Sequence, residues 1–180
     1  MLFRSVFSMS VPRKRFAEEP TQARLHELFH YDELTGVFIW KVGRGGVLAG
    51  AVAGGQDSCG YLQMRFCGTK ASCHRLAWLY VYGVFPENEL DHINGIKNDN
   101  RIENLRPATR ANNMCNIGVR KNSKTGVKGV TWDTQHGKFR AQIMHQGKRH
   151  NIGRFDDAES ASAAYAETAH RLHGEFANSA

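Results

Sequence analysis

The sequence predicts an α+β fold in two modules, and three stretches carry that expectation. Lys138 to Met144 alternates strictly, with Phe139, Ala141 and Ile143 on one face and Lys138, Arg140, Gln142 and Met144 on the other, the period of a half-exposed strand. Ala161, Ala164, Tyr165, Thr168 and Leu172 recur at helical spacing and form a stripe able to cover a sheet. Upstream, short helical and strand patterns interleave and lead into DHINGIKNDNRIENL, from Asp91 to Leu105, a run dense in groups that can do chemistry.

Taken in order, residues 1–18 read as a flexible basic arm containing Pro12-Arg13-Lys14-Arg15. Its opening apolar stretch is too short for a secretory signal, so a cytoplasmic chain is expected, in the host cell if a phage encodes it. Pro20-Thr21 followed by Leu25, Leu28 and Phe29 predicts a short amphipathic helix, and Gly36 introduces a buried strand, Val37 to Trp40. Gly43 to Gly60 holds seven glycines with little periodicity, which predicts loop with one short strand. Tyr61 to Phe66 alternates and meets Cys67-Gly68-Thr69-Lys70, one arm of a hairpin whose return leads to His74. His74 to Tyr82 reads as a helix closed by Gly83, and His74-Arg75 at its start suits a phosphate contact or a surface cap. Thr109 is a good N-cap for a helix to about Asn116, which places Asn113 about one turn in. Residues 117–126 read as a linker. Beyond it, Gly129 to Trp132, Lys138 to Met144 and Lys148 to Phe155, with Gly137 and Gly147 at the turns, predict a three-stranded antiparallel sheet. Asp156 with Glu159 makes a capping box for the following helix, which Gly174 ends.

Composition narrows the partners. A formal charge of +7 and a pI near 9.4 favour a polyanion. No apolar run approaches the ~20 residues a membrane span needs, so a membrane is excluded as partner. Cys59, Cys67, Cys73 and Cys115 show no C-x₂-C pair, which argues against zinc. From Arg120 to Arg154 nine Lys or Arg face a single acid, Asp133, so the sheet left uncovered by the helix is basic.

The chemistry concentrates at Asp91-His92 and the Asn residues after it. An imidazole is a proton acceptor near neutral pH, and carboxylate and amide oxygens suit a hard cation such as Mg²⁺, which keeps part of its shell for water and phosphate. That set is suited to hydrolysing a phosphodiester. An EF-hand is excluded, because loop positions 3, 5 and 12 would be Ile93, Gly95 and Ile102.

DHINGIKNDNRIENL, continued by Arg106-Pro107-Ala108-Thr109-Arg110-Ala111-Asn112-Asn113, resembles the HNH endonuclease family, in particular its phage and intron-encoded homing members; the likeness runs from about Phe29 to Asn116. It implies a ββα-metal core within residues 19–116. It also implies that His92 is the general base, that Asn104, twelve residues on, orients the imidazole, and that Asp91 and Asn113, nine residues beyond Asn104, are the metal ligands. Asn112 adjoins Asn113, and a one-residue change of register exchanges them. The implied ion is Mg²⁺, with Mn²⁺ as the alternative and no zinc. Residues from about Ser123 to Asn178 resemble the ethylene-response-factor (APETALA-two type) DNA-binding domain of plants, which implies a DNA-binding module over 127–178 with the sheet in the major groove. Groove-facing positions are then Lys128, Thr131, Asp133, Gln142, Met144, Arg149 and Asn151, with Arg140 on the same face. Thr131, Asp133 and Met144 stand where the plant domains carry Arg, so their target does not transfer. Together the likenesses imply a sequence-preferring endonuclease of double-stranded DNA that nicks as a monomer. The rivals are a DNA-binding protein with a relic core and an RNA-directed nuclease, the latter disfavoured by the narrow A-form major groove.

Overall fold

A computed structural model describes residues 19–43, 45–119 and 122–178; the expected basic arm at 1–18 lies outside them. Helix α1 (Gln22–Leu28) starts at Thr21, whose hydroxyl accepts from Arg24 N at 3.2 Å. Phe29 does not continue the helix. It opens strand β1 (Phe29–Asp32), which pairs antiparallel with β2 (Val37–Trp40). Asp32 closes the turn between them by accepting from Leu34 N at 3.0 Å and the Thr35 hydroxyl at 2.8 Å. The glycine-rich stretch holds two short strands rather than one: β3 (Val52–Ala53) extends the first sheet, and β4 (Gly55–Gln56) begins a second. There it meets the hairpin of β5 (Leu62–Phe66) and β6 (Thr69–Ser72). Cys67 and Gly68, at φ of 48° and 81°, make the two-residue turn, where positive φ at both positions matches the strand twist.

Helix α2 (Cys73–Tyr82) ends on left-handed Gly83 and packs Leu76, Ala77 and Leu79 into the core. Leu25, Phe29, Phe38, Phe66, Cys73 and Leu76 are fully buried there, with the Phe29 ring 4.3 Å from that of Trp40. Against this core lies a hairpin of β7 (Glu89–His92) and β8 (Leu105–Ala108), followed by α3 (Arg110–Cys115). Thr109 caps α3 by accepting from Asn112 N at 3.2 Å.

The second module orders its strands β11-β10-β9, from β9 (Val130–Asp133), β10 (Lys138–His145) and β11 (Lys148–Phe155). Ala141 pairs with Gly153 but Gln142 with Asn151, so Ile152 is an extra residue in β11, a β-bulge. The bulge brings Arg149 and Asn151 onto the face of Gln142 and Met144 and turns Ile152 toward the small core. Helix α4 (Ala158–His173) covers the other face with Ala161, Tyr165 and Ala169 against Val130, Ala141 and Ile143. Its N-cap is Asp157, which accepts from Ser160 N at 2.7 Å and the Ser160 hydroxyl at 2.9 Å, so the cap lies one residue beyond the expected Asp156 and uses Ser160 in place of Glu159. Among the described residues no helix is long and apolar enough to cross a membrane.

Candidate active site

The β7–β8 hairpin pairs Asp91 with Arg106 and His92 with Leu105, and the loop 93–101 folds back over its end. Asn104 fastens that loop. Its Oδ1 accepts from Asn94 N at 3.0 Å, its Nδ2 donates to Asn94 Oδ1 at 3.0 Å and to the Asp99 carbonyl at 2.8 Å, and its own carbonyl accepts from Ile93 N at 2.9 Å. Both Nδ2 hydrogens and one Oδ1 lone pair of Asn104 thus go to the loop, and among the described residues the hydrogen bond to the imidazole comes from Asn100 instead of the expected Asn104.

Asn100 is fully buried, its carbonyl accepts the Tyr31 hydroxyl at 2.7 Å, and its Oδ1 lies 3.1 Å from His92 Nε2. With the amide placed so that its oxygen faces the ring and its Nδ2 is buried without a partner among the described residues, the oxygen only accepts, which puts the proton on Nε2 and leaves Nδ1 the lone pair of a base. Burial pulls the His92 pKa below its ordinary 6.5, against the raising effects of Asn100 and Asp91, so the ring is neutral at neutral pH. His74 sits edge-on at 5.2 Å between ring centroids; burial first and the neighbouring His92 second bring it down to about 4. Arg75 is committed to the carbonyls of Asn88 and Pro86 at 3.3 and 3.2 Å, and His74 Nδ1 is buried with no hydrogen-bond partner among the described residues.

Asp91 is held from two sides. Arg106 donates to Oδ2 through Nε at 3.0 Å and Nη2 at 2.7 Å, while Asn116 Nδ2 reaches Oδ1 at 2.9 Å, Oδ2 at 3.0 Å and the His92 carbonyl at 2.8 Å. A carboxylate oxygen has two lone pairs, so Oδ1 retains capacity for a cation. Asn113 Nδ2 donates to Glu89 at 2.7 Å, and its Oδ1 is buried with no hydrogen-bond partner among the described residues. A buried amide oxygen lacking a donor, beside a carboxylate, fits a hard divalent ion. Asp91, His92 and Asn113 all line one cleft of about 810 Å³, together with Tyr61, Glu89 and Lys97. Asn112 lines a neighbouring cleft instead.

That neighbouring cleft, of about 1110 Å³, runs between α3 and the exposed sheet face, and it shares Met114, Ile117 and Gly118 with the first. Thr131, Arg140, Gln142, Met144 and Arg149 line it, and Asn151 pairs with Gln142 on the same face. Arg140 is flanked by Thr131 and Arg154 across the sheet, and its Nε is buried with no partner among the described residues. Asp133 is paired in place with Arg154 Nε at 2.9 Å and hydrogen-bonded to His136 Nδ1 at 3.1 Å. Lys128 departs from expectation. Its ammonium is drawn off the sheet to the carbonyls of Cys115 and Asn178, both at 2.7 Å, where it joins the two modules.

Asn100, Arg106 and Asn116 escaped the sequence reading. For Arg106 a signal existed, since a hairpin that places His92 opposite Leu105 sets an acid opposite a base. For Asn100 and Asn116 there was none, because their reach depends on the path of the loop and on the exit of α3.

The HNH endonuclease family model matches residues 72–115, which hold α2, the hairpin and α3. Protein 3.8 of Escherichia phage T7 is 31% identical over 105 residues, 58% of this chain and 86% of that protein. An uncharacterised HNH endonuclease of Acanthamoeba polyphaga mimivirus is 32% identical over 110 residues, 60% of this chain and 56% of that one. No solved structure matches. With the β7–β8–α3 unit, its Asp-His pair and these likenesses in agreement, the chain belongs to the HNH endonuclease family, a family of hydrolases.

Proposed function

We propose that this enzyme is a sequence-preferring, homing-type endonuclease that hydrolyses double-stranded DNA with one divalent ion, Mg²⁺ or Mn²⁺, and nicks one strand as a monomer. The carrying observation is that Asp91, His92 and Asn113 line one cleft. His92 Nδ1 takes the proton of a water whose oxygen bonds to phosphorus as the bond to the 3′ oxygen breaks, leaving 5′-phosphate and 3′-hydroxyl ends. Asn100 keeps the ring in the tautomer this needs. Asp91 and Asn113 hold the ion, which when bound neutralises charge on the phosphoryl and departing oxygens.

The sheet of the second module reads the site. On the resemblance to the ethylene-response-factor domain, Thr131, Arg140, Gln142, Arg149 and Asn151 would face the groove, with Arg supplying salt-dependent phosphate affinity and Gln142 and Asn151 reading base edges. The two adjoining clefts support one duplex engaging both modules. A single Asp91–His92–Asn113 set in a single chain engages one strand in one orientation. The test is supercoiled plasmid carrying the target, incubated with Mg²⁺ or EDTA and sampled through the first turnover. Open circles that need Mg²⁺ and precede any linear form are expected. Linear product from the outset, at a rate rising with the square of protein concentration, overturns the nicking monomer, and cleavage in EDTA overturns the divalent ion.

A further inference from the structure

Beyond α4 the chain makes a 3₁₀ turn, Gly174–Phe176, and leaves its own module for the nuclease core. The Glu175 carbonyl accepts from Arg106 Nη1 at 2.7 Å, and the Phe176 ring lies 3.9 Å from the Arg106 guanidinium carbon. Asn178 Nδ2 donates to the Asn116 carbonyl at 2.9 Å, and the Asn178 carbonyl takes the Lys128 ammonium at 2.7 Å. Arg106 and Asn116 are the two residues whose side chains grip Asp91. One short segment therefore holds both holders.

We propose that residues 175–178 are a positioning strap, by which the second module sets the Asp91 carboxylate in the rotamer that receives the divalent ion. An arginine side chain gives up rotamer freedom to stay on Asp91, and further contacts to its guanidinium narrow the geometries it can take. Here Glu175 takes one end of the fork, and Phe176 covers its face, attracting the cation and excluding water. Asn116 anchors the hairpin from the other side through Asp91 and the His92 carbonyl, and Asn178 fixes its backbone. In a metal site, groups that orient the ligands govern affinity for the ion, typically by ~10–100-fold on removal. The second module thus supplies part of the metal site's order as well as DNA affinity. This rests on the reading of Asp91 as a metal ligand.

The experiment uses the full chain as wild type, Phe176→Ala, Asn178→Ala, Phe176→Tyr and Asp91→Ala. Mn²⁺ alone, without DNA, is titrated by electron paramagnetic resonance, and DNA affinity is measured in EDTA. Phe176→Ala and Asn178→Ala should each weaken Mn²⁺ binding by ~10-fold, in line with lost ligand orientation, with DNA affinity in EDTA falling clearly less than that and Phe176→Tyr near wild type. If Asp91→Ala abolishes Mn²⁺ binding while the strap variants bind as wild type does, the strap is overturned and the metal assignment stands. If Asp91→Ala binds Mn²⁺ normally, the metal assignment falls and the strap with it. A drop in DNA affinity as large as the drop in Mn²⁺ affinity overturns the strap as well, since the segment then serves the interface alone.

Discussion

Asn100 Oδ1 accepts from His92 Nε2 at 3.1 Å, and this one bond chooses which nitrogen of the imidazole is free to act as a base. The bond is fixed from behind, because the Asn100 backbone is pinned by the Tyr31 hydroxyl and abutted by Gly36. The residue that sets the tautomer lies in the motif, and the β1–β2 hairpin supports its backbone from outside.

Asn100→Ala should lower the single-turnover cleavage rate ~10–100-fold, by analogy with the cost of losing a group that orients a metal-ligating histidine. Asn100→Asp, which keeps an acceptor oxygen, should lose less. Rates measured at saturating DNA, beside DNA affinity in EDTA, check this: the rate falls and the affinity stays. Equal rates for wild type and Asn100→Ala would remove Asn100 from the account.

Gly36→Ala tests the support behind that bond. A Cβ there would lie 2.5 Å from Asn100 C and Arg101 N, and the φ of +72° is one that L side chains rarely adopt. Overpacking against backbone predicts a loss of ~1–3 kcal/mol in denaturant unfolding, accompanied by slower cleavage. A variant as stable and as active as wild type would mean the hairpin and loop move independently.

Acid should loosen the loop over the site. Hydrogen bonds from Arg101, foremost, and Asn94 hold Asp99 down from its ordinary 3.8 to about 2. A carboxyl depressed on folding contributes stability that is complete above 3.8 and is lost as pH falls through about 2. Wild-type melting temperature should therefore fall more steeply over that window than that of Asp99→Asn, which has no such proton to gain. Parallel curves would deny Asp99 the role.

Arg149 and Lys128 should separate in salt. Arg149 is exposed on the sheet face, opposite Met144, whereas Lys128 is committed to two carbonyls. Arg149→Ala should weaken DNA binding and reduce the slope of log affinity against log salt by about 1, as for the loss of one phosphate contact. Lys128→Ala should leave that slope alone and lower thermal stability instead. The reverse pattern in salt titrations would return Lys128 to the DNA face.

Periodicity made most elements legible. The β10 alternation, the Gly83 end of α2, the α4 stripe and the Thr109 cap all depend on neighbours a few residues away, and each is where the pattern put it. The misreadings share a physical cause, which is dependence on contacts distant in sequence or on a single-residue choice among near-equal donors. Asp157 rather than Asp156 caps α4, Ile152 bulges out of register, and Asn104 spends its amide on a loop whose path no local pattern encodes. At the candidate site, residue type and the HNH resemblance point to Asp91, His92 and Asn113, and these line one cleft. Arg106, Asn116 and the segment that grips them could not be picked out that way, since Glu175 meets Arg106 only after the second module has folded back on the first.

The most direct test is single-turnover cleavage of supercoiled target plasmid by His92→Ala in Mg²⁺, with DNA affinity followed in parallel. Loss of the general base predicts cleavage slowed by ~10²–10⁴ with binding intact. Turnover near the wild-type rate would place the base elsewhere and contradict the account.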